Sequence, residues 1–317
     1  MKIILNKFVI VLFVLCLLVL GACSKKKEVI GIIQFGEHDS LNDCYNGIIE
    51  GLKEELGSDF DKYKIELQNS NFDASTSAAQ ANTFVSKNVK IIGAIATPSA
   101  MAASASAKGS IPVVYCAVSD PASAGLTTLD NVTGSSDKLD FDGQLELIRK
   151  FIPDVKRIGV LYTLGEANSI SQIRTLTEKA NKLGIEIITQ TITNASEIPT
   201  ATDTLLQKDI DCITNLTDNT VVGALDIIIS KTNQAKIPVF GSEIDQVKNG
   251  CLASASLDYV ALGKETGKLM AKIIKGEVKA SDEVSISVED SFDCYSARVA
   301  TLLGITLPDL TNITNVD

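Results

Sequence analysis

Short apolar runs alternate along this chain with longer stretches in which apolar residues recur every three to four positions. The first run, residues 29–35, is continuous and of strand length, which is typical of a strand buried on both faces of a parallel sheet. Leu41, Tyr45 and Ile48 then recur at helical spacing, and Gly57 ends the predicted helix. This alternation of buried strand and amphipathic helix predicts an α/β fold.

The same order of elements occurs twice. The first unit has predicted strands over residues 29–35, 65–67, 90–96 and 113–118, with helices over 40–56, 74–88 and 99–108. The second unit starts after residues 134–136 and has strands over 157–163, 185–192, 212–215 and 239–240, with helices over 141–151, 169–183, 198–207 and 220–235. Strands joined in this way are expected to form two doubly wound parallel sheets, one in each unit.

Residues 1–22 are interpreted as a targeting signal and are left out of the fold prediction. Lys2 and Lys7 flank the start of an apolar run over residues 8–20, which is too short for a confident membrane span. The run ends Leu-Gly-Ala-Cys at 20–23, which resembles a bacterial lipobox. That resemblance implies lipidation of Cys23, by palmitate or a similar chain, and a tether over residues 23–27. An ordinary signal peptide or a short anchor is the alternative.

Composition and charge narrow the function classes. The net charge of the 317 residues is −10, and the only basic run is the three lysines at 25–27, which argues against a nucleic-acid partner. The seven cysteines show no Cys-x-x-Cys spacing, so no metal site or cofactor is predicted. Cys116 and Cys212 fall within apolar strands and are expected to be buried free thiols.

Polar residues end three successive strands in both units, in the same order. Gly-Glu-His-Asp-Ser at 36–40 corresponds to Gly-Glu-Ala-Asn-Ser at 165–169. The pairs 97–99 with 217–219 and 119–120 with 242–243 follow in register. Taken singly, these residues are ordinary helix caps. Because ligands bind outside the carboxyl ends of parallel strands, the repeat as a whole predicts one cleft with a wall from each unit.

A cleft of this kind suits a zwitterion. Capping hydroxyls and free backbone N–H groups can hold its carboxylate, and acidic side chains, including the repeated Glu37 and Glu166, can hold its ammonium group. Phe35 could line an apolar side-chain pocket. The candidate ligand-binding residues are Glu37, His38, Ser40, Thr97, Ser99, Asp120, Asn168, Ser169, Asp218, Asn219 and Glu243.

Several short stretches together resemble a known family. They are residues 33–38, 94–100, 117–121, 131–134, 165–169, 217–222 and 262–267. The set is similar to the type I solute-binding lipoproteins of ABC importers, and closely to their tryptophan and aromatic amino-acid-binding subfamily. The resemblance covers nearly everything after Cys23. Asp39 stands where the subfamily usually has proline, and Glu243 follows Gly-Ser in place of the usual small pair.

The resemblance implies a type I periplasmic-binding-protein fold, in which the chain crosses between two lobes three times. The crossings are expected near residues 133–138, 254–257 and 282–287. Lobe 1 would then hold residues 28–135 and 257–282, and lobe 2 would hold 136–256 and 283–317.

The implied function is that of a monomeric receptor, lipid-anchored on the extracytoplasmic face of the cell membrane. It would capture a small solute, with an aromatic, tryptophan-like L-amino acid favoured. It would deliver that solute to a permease driven by a separate ATPase, without a cofactor and without chemistry.

Other function classes stay open at this point. The same receptor class could take a nucleoside or a sugar, although a chain without tryptophan lacks a ring that commonly stacks on sugars. An enzyme could use the sole histidine, His38, as a base, but a Gly-x-Ser-x-Gly elbow and a phosphate loop are both missing. A two-lobed repressor would need a basic DNA-binding head where this chain has its signal segment.

Overall fold

A computed structural model of the chain describes residues 27–282, 286–287 and 292–317. The predicted signal segment and Cys23 lie outside the described residues. Within the described part, no helix is both long enough and apolar enough to cross a membrane.

The first sheet is entirely parallel, as the buried apolar runs predict. Its strands are β1 (Glu28–Gln34), β2 (Tyr63–Asn69), β3 (Ile91–Ile95), β4 (Val113–Cys116), β5 (Val132–Ser136) and β11 (Ile286–Ser287). They lie in the order β11-β5-β4-β3-β1-β2. The helices of this unit, which we call lobe 1, are α1 (Asp39–Leu56), α2 (Ala74–Ser86), α3 (Thr97–Ala107) and α10 (Tyr259–Lys275). Ile32 and Ile33 of β1 belong to different apolar clusters, so both faces of the sheet are buried.

The second sheet repeats this plan and adds an antiparallel pair. Its strands are β6 (Arg157–Thr163), β7 (Glu186–Ile192), β8 (Cys212–Thr214), β9 (Val239–Phe240), β10 (Ala253–Ser256), β12 (Phe292–Tyr295) and β13 (Thr314–Asn315), in the order β13-β12-β10-β9-β8-β6-β7. The helices of this unit, lobe 2, are α4 (Phe141–Phe151), α5 (Ala167–Lys182), α6 (Ile198–Leu206), α7 (Asn219–Val222), α8 (Leu225–Ala235), α9 (Ile244–Lys248) and α11 (Ala297–Leu303). Strand β12 runs antiparallel to β10. The predicted fold class, two doubly wound parallel-sheet lobes, is confirmed.

Three details differ from the sequence prediction. The helix expected over residues 220–235 is two helices, because the chain breaks at Gly223 and Ala224. Strand β11 pairs with β5, so residues 286–287 belong to the sheet of lobe 1 although we expected them in lobe 2. The last change of sheet therefore comes between Ser287 and Phe292. Helix α9 was not predicted from the sequence.

Helices α1 and α10 lie unusually close together, and this contact holds α10 against the rest of lobe 1. A side chain at Gly47 would place its Cβ 2.2 Å from the carbonyl oxygen of Val260, and one at Gly263 would lie 2.3 Å from that of Cys44. Glycine at both positions is thus required by space. Tyr259, the first residue of α10, is held in this way at the junction of the lobes.

The cysteines of the described part behave as small buried apolar residues. Cys44, Cys116, Cys212, Cys251 and Cys294 are all free and buried. The expectation for Cys116 and Cys212 is confirmed.

Candidate functional site

A small cavity lies between the two lobes, at the carboxyl ends of strands from both sheets. From lobe 1 and the first crossing it is lined by His38, Ser40, Leu41, Ala117, Asp137 and Tyr259. From lobe 2 it is lined by Asn168, Thr217, Asn219, Val222, Ser242, Glu243 and Gln246. The space inside that the centre of a water molecule can reach is about 20 Å³, room for roughly one water. An organic solute can therefore enter only when the lobes move apart.

The structure brings five of the eleven candidate residues to this cavity: His38, Ser40, Asn168, Asn219 and Glu243. The other six candidates do not line it: Glu37, Thr97, Ser99, Asp120, Ser169 and Asp218. Phe35, proposed as part of an apolar pocket, is buried in the core of lobe 1 and does not line the cavity either.

His38 forms part of the lobe 1 wall, directly before α1. Its two ring nitrogens are shielded from solvent, and neither makes a hydrogen bond with the described protein. Burial lowers the pKa of His38 from 6.5 to about 4, although the neighbouring Asn219 side chain and Asp39 carboxylate partly oppose this. The ring is therefore neutral at neutral pH, with one nitrogen to donate and one to accept.

Asp137 is a buried carboxylate in the cavity wall that the sequence analysis missed. It follows β5 at the first passage between the lobes and accepts hydrogen bonds from Ser119 Oγ at 2.8 Å and Tyr259 Oη at 3.0 Å. Within the described residues it has no salt-bridge partner, and burial raises its pKa. The available sequence signal was the position of Asp137 within residues 133–138, where the first crossing between the lobes was expected, but Asp137 has no counterpart in the repeated motifs. A carboxylate buried without a cation is well suited to bind one.

Glu166, the repeated glutamate of lobe 2, is satisfied entirely from within its own lobe. Its carboxylate accepts hydrogen bonds from the backbone N–H groups of Asn219 and Thr220, each at 3.0 Å. It also accepts from Asn219 Nδ2 at 2.6 Å and Asn168 Nδ2 at 3.2 Å. Burial, followed by the charge of Asp218, raises the pKa of Glu166 to about 7. This residue orients the two cavity asparagines and does not itself face the cavity.

Asp218 and Ser169 also bond inside lobe 2. The Asp218 carboxylate accepts from the Thr163 backbone N–H at 2.6 Å, from Ser169 Oγ at 2.7 Å and from the Val221 backbone N–H at 2.9 Å. It thereby caps α7, which carries Asn219 at the cavity. Asp218 and Ser169 thus stabilise the lobe 2 wall of the cavity without lining it.

Glu243 is both a helix cap and a lining residue. Its carboxylate accepts from the backbone N–H groups of Asp245 at 2.7 Å and Gln246 at 2.8 Å, at the start of α9. Burial raises its pKa to about 7. Glu243 thus lines the cavity while its oxygens are already partnered.

Hydrogen bonds outside the cavity join the two lobes. Asp120, a candidate ligand residue, accepts instead from Ser171 Oγ of α5 in lobe 2. Ser119 Oγ lies 2.9 Å from Thr217 Oγ1 of lobe 2. On another side of the cavity, Asn249 Nδ2 of lobe 2 donates to the Asp39 carboxylate at 2.8 Å. The lobes are therefore closed against each other.

Buried polar atoms without a hydrogen-bond partner are concentrated among the candidate residues. In the part of the chain that the structure describes, such atoms occur in six residues: His38, Ser77, Thr97, Ser99, Asn168 and Ser254. Four of the six were singled out from the sequence as ligand residues. Buried polar groups in proteins are nearly always paired, so these groups stand out. Of the four, His38 and Asn168 line the cavity, and Thr97 and Ser99 do not.

The backbone is strained at the same edge of lobe 1. Three non-glycine residues that follow β2, β3 and β4 have positive φ angles: Phe72 at 60°, Ala96 at 77° and Ala117 at 56°. Such conformations cost roughly 1–3 kcal/mol each and cluster at functional sites. Their position agrees with the location of the cavity.

Two solved structures are similar in fold, and one of them was solved with a ligand and the other without. A Streptococcus pneumonia protein in complex with L-Trp has a TM-score of 0.85 and 32% sequence identity, covering 90% of this chain and 97% of that one. The ligand-free, open structure of a substrate-binding protein with adhesive properties from Clostridium difficile has a TM-score of 0.68 and 34% identity, covering 92% and 99%.

Sequence comparison gives the family. A tyrosine-binding protein from Clostridioides difficile (strain R20291) is 37% identical over 278 residues, which is 84% of this chain and 80% of that protein. Residues 29–313 match the family model of the ABC transporter substrate binding protein. The chain therefore belongs to the family of ABC transporter substrate-binding proteins.

Proposed function

We propose that this substrate-binding protein captures an aromatic L-amino acid between its lobes and closes around it. The family consists of extracytoplasmic receptors for small molecules, which have ABC permease subunits as partners. It is not a family of enzymes. The observation that carries the amino-acid assignment is Asp137, a buried carboxylate in the cavity wall whose protein donors are two neutral hydroxyls. A ligand ammonium group would complete its set of partners.

The other parts of the ligand have matching groups. Thr97 and Ser99, in the first turn of α3, do not line the small cavity between the lobes, but their hydroxyls have no hydrogen-bond partner and lie beside the free N–H groups of a helix N-terminus. They would reach the ligand carboxylate once the lobes move apart to admit the ligand. Leu41 and Val222 provide apolar surface for the side chain. His38 and Asn168 offer polar atoms for a phenol or indole group.

The relatives support the choice of an aromatic side chain. One binds tyrosine and one was solved with L-Trp, each at more than 30% identity over most of this chain. The chain is also more similar to the L-Trp complex than to the ligand-free, open relative, although both relatives are nearly equally identical in sequence. A different arrangement of the lobes would produce such a contrast, which supports the proposal of a hinge that closes on the ligand.

We also propose that Cys23 carries a lipid that holds the receptor at the outer face of the membrane. The lipobox-like Leu-Gly-Ala-Cys at 20–23 supports this proposal. An anchored receptor stays close to its permease.

A thermal-shift screen over L-amino acids, nucleosides and sugars tests the ligand class. A ligand that binds only the folded state raises the melting temperature, and a concentration 100 times the Kd adds about 2.7 kcal/mol of stability. We expect tyrosine, tryptophan and phenylalanine to give the largest shifts. A shift with a nucleoside or a sugar and none with any amino acid would reject the proposed ligand class.

A further inference from the structure

Phe72 has a backbone conformation that is costly for a large side chain. It lies in the loop between β2 and α2 with a φ of 60°, directly after Asn71 with a φ of 50°. Bulky residues rarely adopt such angles unless their surroundings impose them. Here the Phe72 backbone N–H donates to the carbonyl oxygen of Phe35 at 2.8 Å, which fixes the loop against the end of β1.

The Phe72 ring supports the cavity wall of lobe 1 from behind. It is stacked on the His38 ring, with centroids 6.4 Å apart and planes 5° from parallel. The Phe35 ring meets it edge-on at 6.0 Å. The ring also covers Gly36 so closely that a Cβ there would lie 1.9 Å from a ring carbon. The orientation of His38 towards the cavity thus depends on Phe72.

The same ring touches lobe 2. A Cβ at Gly223, the residue after α7, would lie 2.7 Å from Phe72 Cζ. Gly223 has a φ of −62° and a ψ of −12°, which any residue can adopt. Glycine is therefore required there for space and not for backbone freedom. The preceding residues Asn219 and Val222 line the cavity.

We propose that Phe72 is a positioning residue that sets how far the lobes close. Its ring meets Gly223 at full closure and fixes the separation at which His38 and Asn219 face each other across the ligand. The contact couples the end of α7 in one lobe to the His38 wall of the other. This inference rests on the proposed closure around a solute.

The test is Gly223→Ala, which adds one methyl group where the ring must fit. Overpacking of this kind should weaken binding about five- to hundredfold. The melting temperature without ligand should change little, because alanine tolerates this backbone at least as well as glycine. With saturating ligand, small-angle scattering should show a larger radius of gyration than for the wild type. A purely structural role for Gly223 would change the melting temperature but neither the affinity nor the radius of gyration.

A matched control and a second background make the result decisive. Gly165 of lobe 2 is exposed and does not line the cavity, and a Cβ there would meet nothing within 4 Å, so Gly165→Ala should leave binding unchanged. In a Phe72→Leu background, Gly223→Ala should cost less than about threefold, because the clashing ring is gone. An equal loss in both backgrounds, or no loss with the ring present, would overturn the inference.

The probe is L-tyrosine. If the wild type does not bind it, the probe is the solute with the largest thermal shift in the screen. Failure of the amino-acid assignment and failure of the Phe72 contact are thereby separated.

Discussion

Two buried carboxylates near the cavity, Asp137 and Glu166, have different hydrogen-bond donors around them. Glu166 accepts from two backbone N–H groups, two side-chain amides and a hydroxyl. Among the described residues, the side chains that donate to Asp137 are the hydroxyls of Ser119 and Tyr259, and Asp137 lines the cavity. At the scale of the residue, this difference places Glu166 in the framework of lobe 2 and supports the proposal that Asp137 binds the ligand.

Asp137→Asn should lose most of the ligand affinity while the ligand-free fold stays intact. Removing one partner of a buried charge pair costs about 2–5 kcal/mol of binding. The free energy of unfolding without ligand should be unchanged or higher, because a carboxylate buried without a cation is removed. Calorimetric titration and urea unfolding measure the two quantities. Asp120→Asn, which alters a carboxylate outside the cavity, is the control and should cost about 1 kcal/mol of binding or less. Equal effects of the two changes would contradict the assignment.

Glu166 predicts a pH dependence of stability. Its pKa is raised from 4.5 to about 7 in the folded protein, so its favourable contribution is fully present below pH 4.5 and is lost as the pH rises through 7. The stability of the wild type relative to Glu166→Gln should therefore fall by on the order of 3 kcal/mol between pH 4.5 and 7.5. His38, whose pKa is lowered, acts in the opposite direction but equally in both proteins, so the difference removes it. Urea unfolding at several pH values measures this slope, and parallel curves for the two proteins would refute the prediction.

At the scale of the element, the helix N-termini beside the cleft are of two kinds. The start of α7 is closed by protein side chains, with Asp218 bound to the Val221 backbone N–H and Glu166 bound to those of Asn219 and Thr220. The start of α3 follows Ala96, which provides no side-chain cap. Of these two N-termini, only the uncapped start of α3 leaves backbone N–H groups and hydroxyls for a ligand.

Ser99→Ala and Ser169→Ala should separate these two kinds. Ser99 Oγ has no protein partner, so its loss should lower affinity by about 1–3 kcal/mol and leave the melting temperature nearly unchanged. Ser169 Oγ donates to Asp218, so its loss should lower stability by a similar amount and affect binding less. Both variants are measured by titration and thermal unfolding. If Ser99→Ala has lowered stability and normal affinity, Ser99 has a structural role and does not contact the ligand.

The sequence predicted the elements better than the site, for physical reasons. Buried strands and amphipathic helices are set by local periodicity, so most of their limits were readable. The break between α7 and α8, at Gly223 and Ala224, was not. A polar residue at a strand end can turn to its own helix, as Asp218 does, or to the cavity, as Asn219 does, and the pattern alone does not distinguish the two. Asp137 has no repeated counterpart, so the repeat did not reveal it.

At the scale of the whole molecule, the two lobes close over a space for about one water, and hydrogen bonds join them outside the cavity. Ligand contacts to both walls would favour this closed state over an open one. The lipid anchor would place the whole closing unit at the membrane.

Cys23→Ser tests that anchor. The variant should remain an uncleaved precursor without lipid, because the proposed modification needs the thiol of Cys23. Incorporation of labelled fatty acid into the wild type and not into the variant is the expected result, measured in the native cell or a bacterial host. Cys16→Ser, within the apolar run, is the matched control and should be labelled like the wild type. Undiminished labelling of Cys23→Ser would show that the lipid lies elsewhere.

The most direct test of the central claim is a calorimetric titration of the wild-type protein with L-tyrosine and two analogues, each lacking one charged group. Tyramine lacks the carboxylate, and 3-(4-hydroxyphenyl)propionate lacks the ammonium group that Asp137 would hold. If the protein binds both charged groups of a zwitterion, L-tyrosine binds and each analogue loses at least about a hundredfold in affinity, since a buried charged partner is left unpaired. Equal binding of all three compounds, or binding of a nucleoside or sugar with no amino acid bound, would contradict the account.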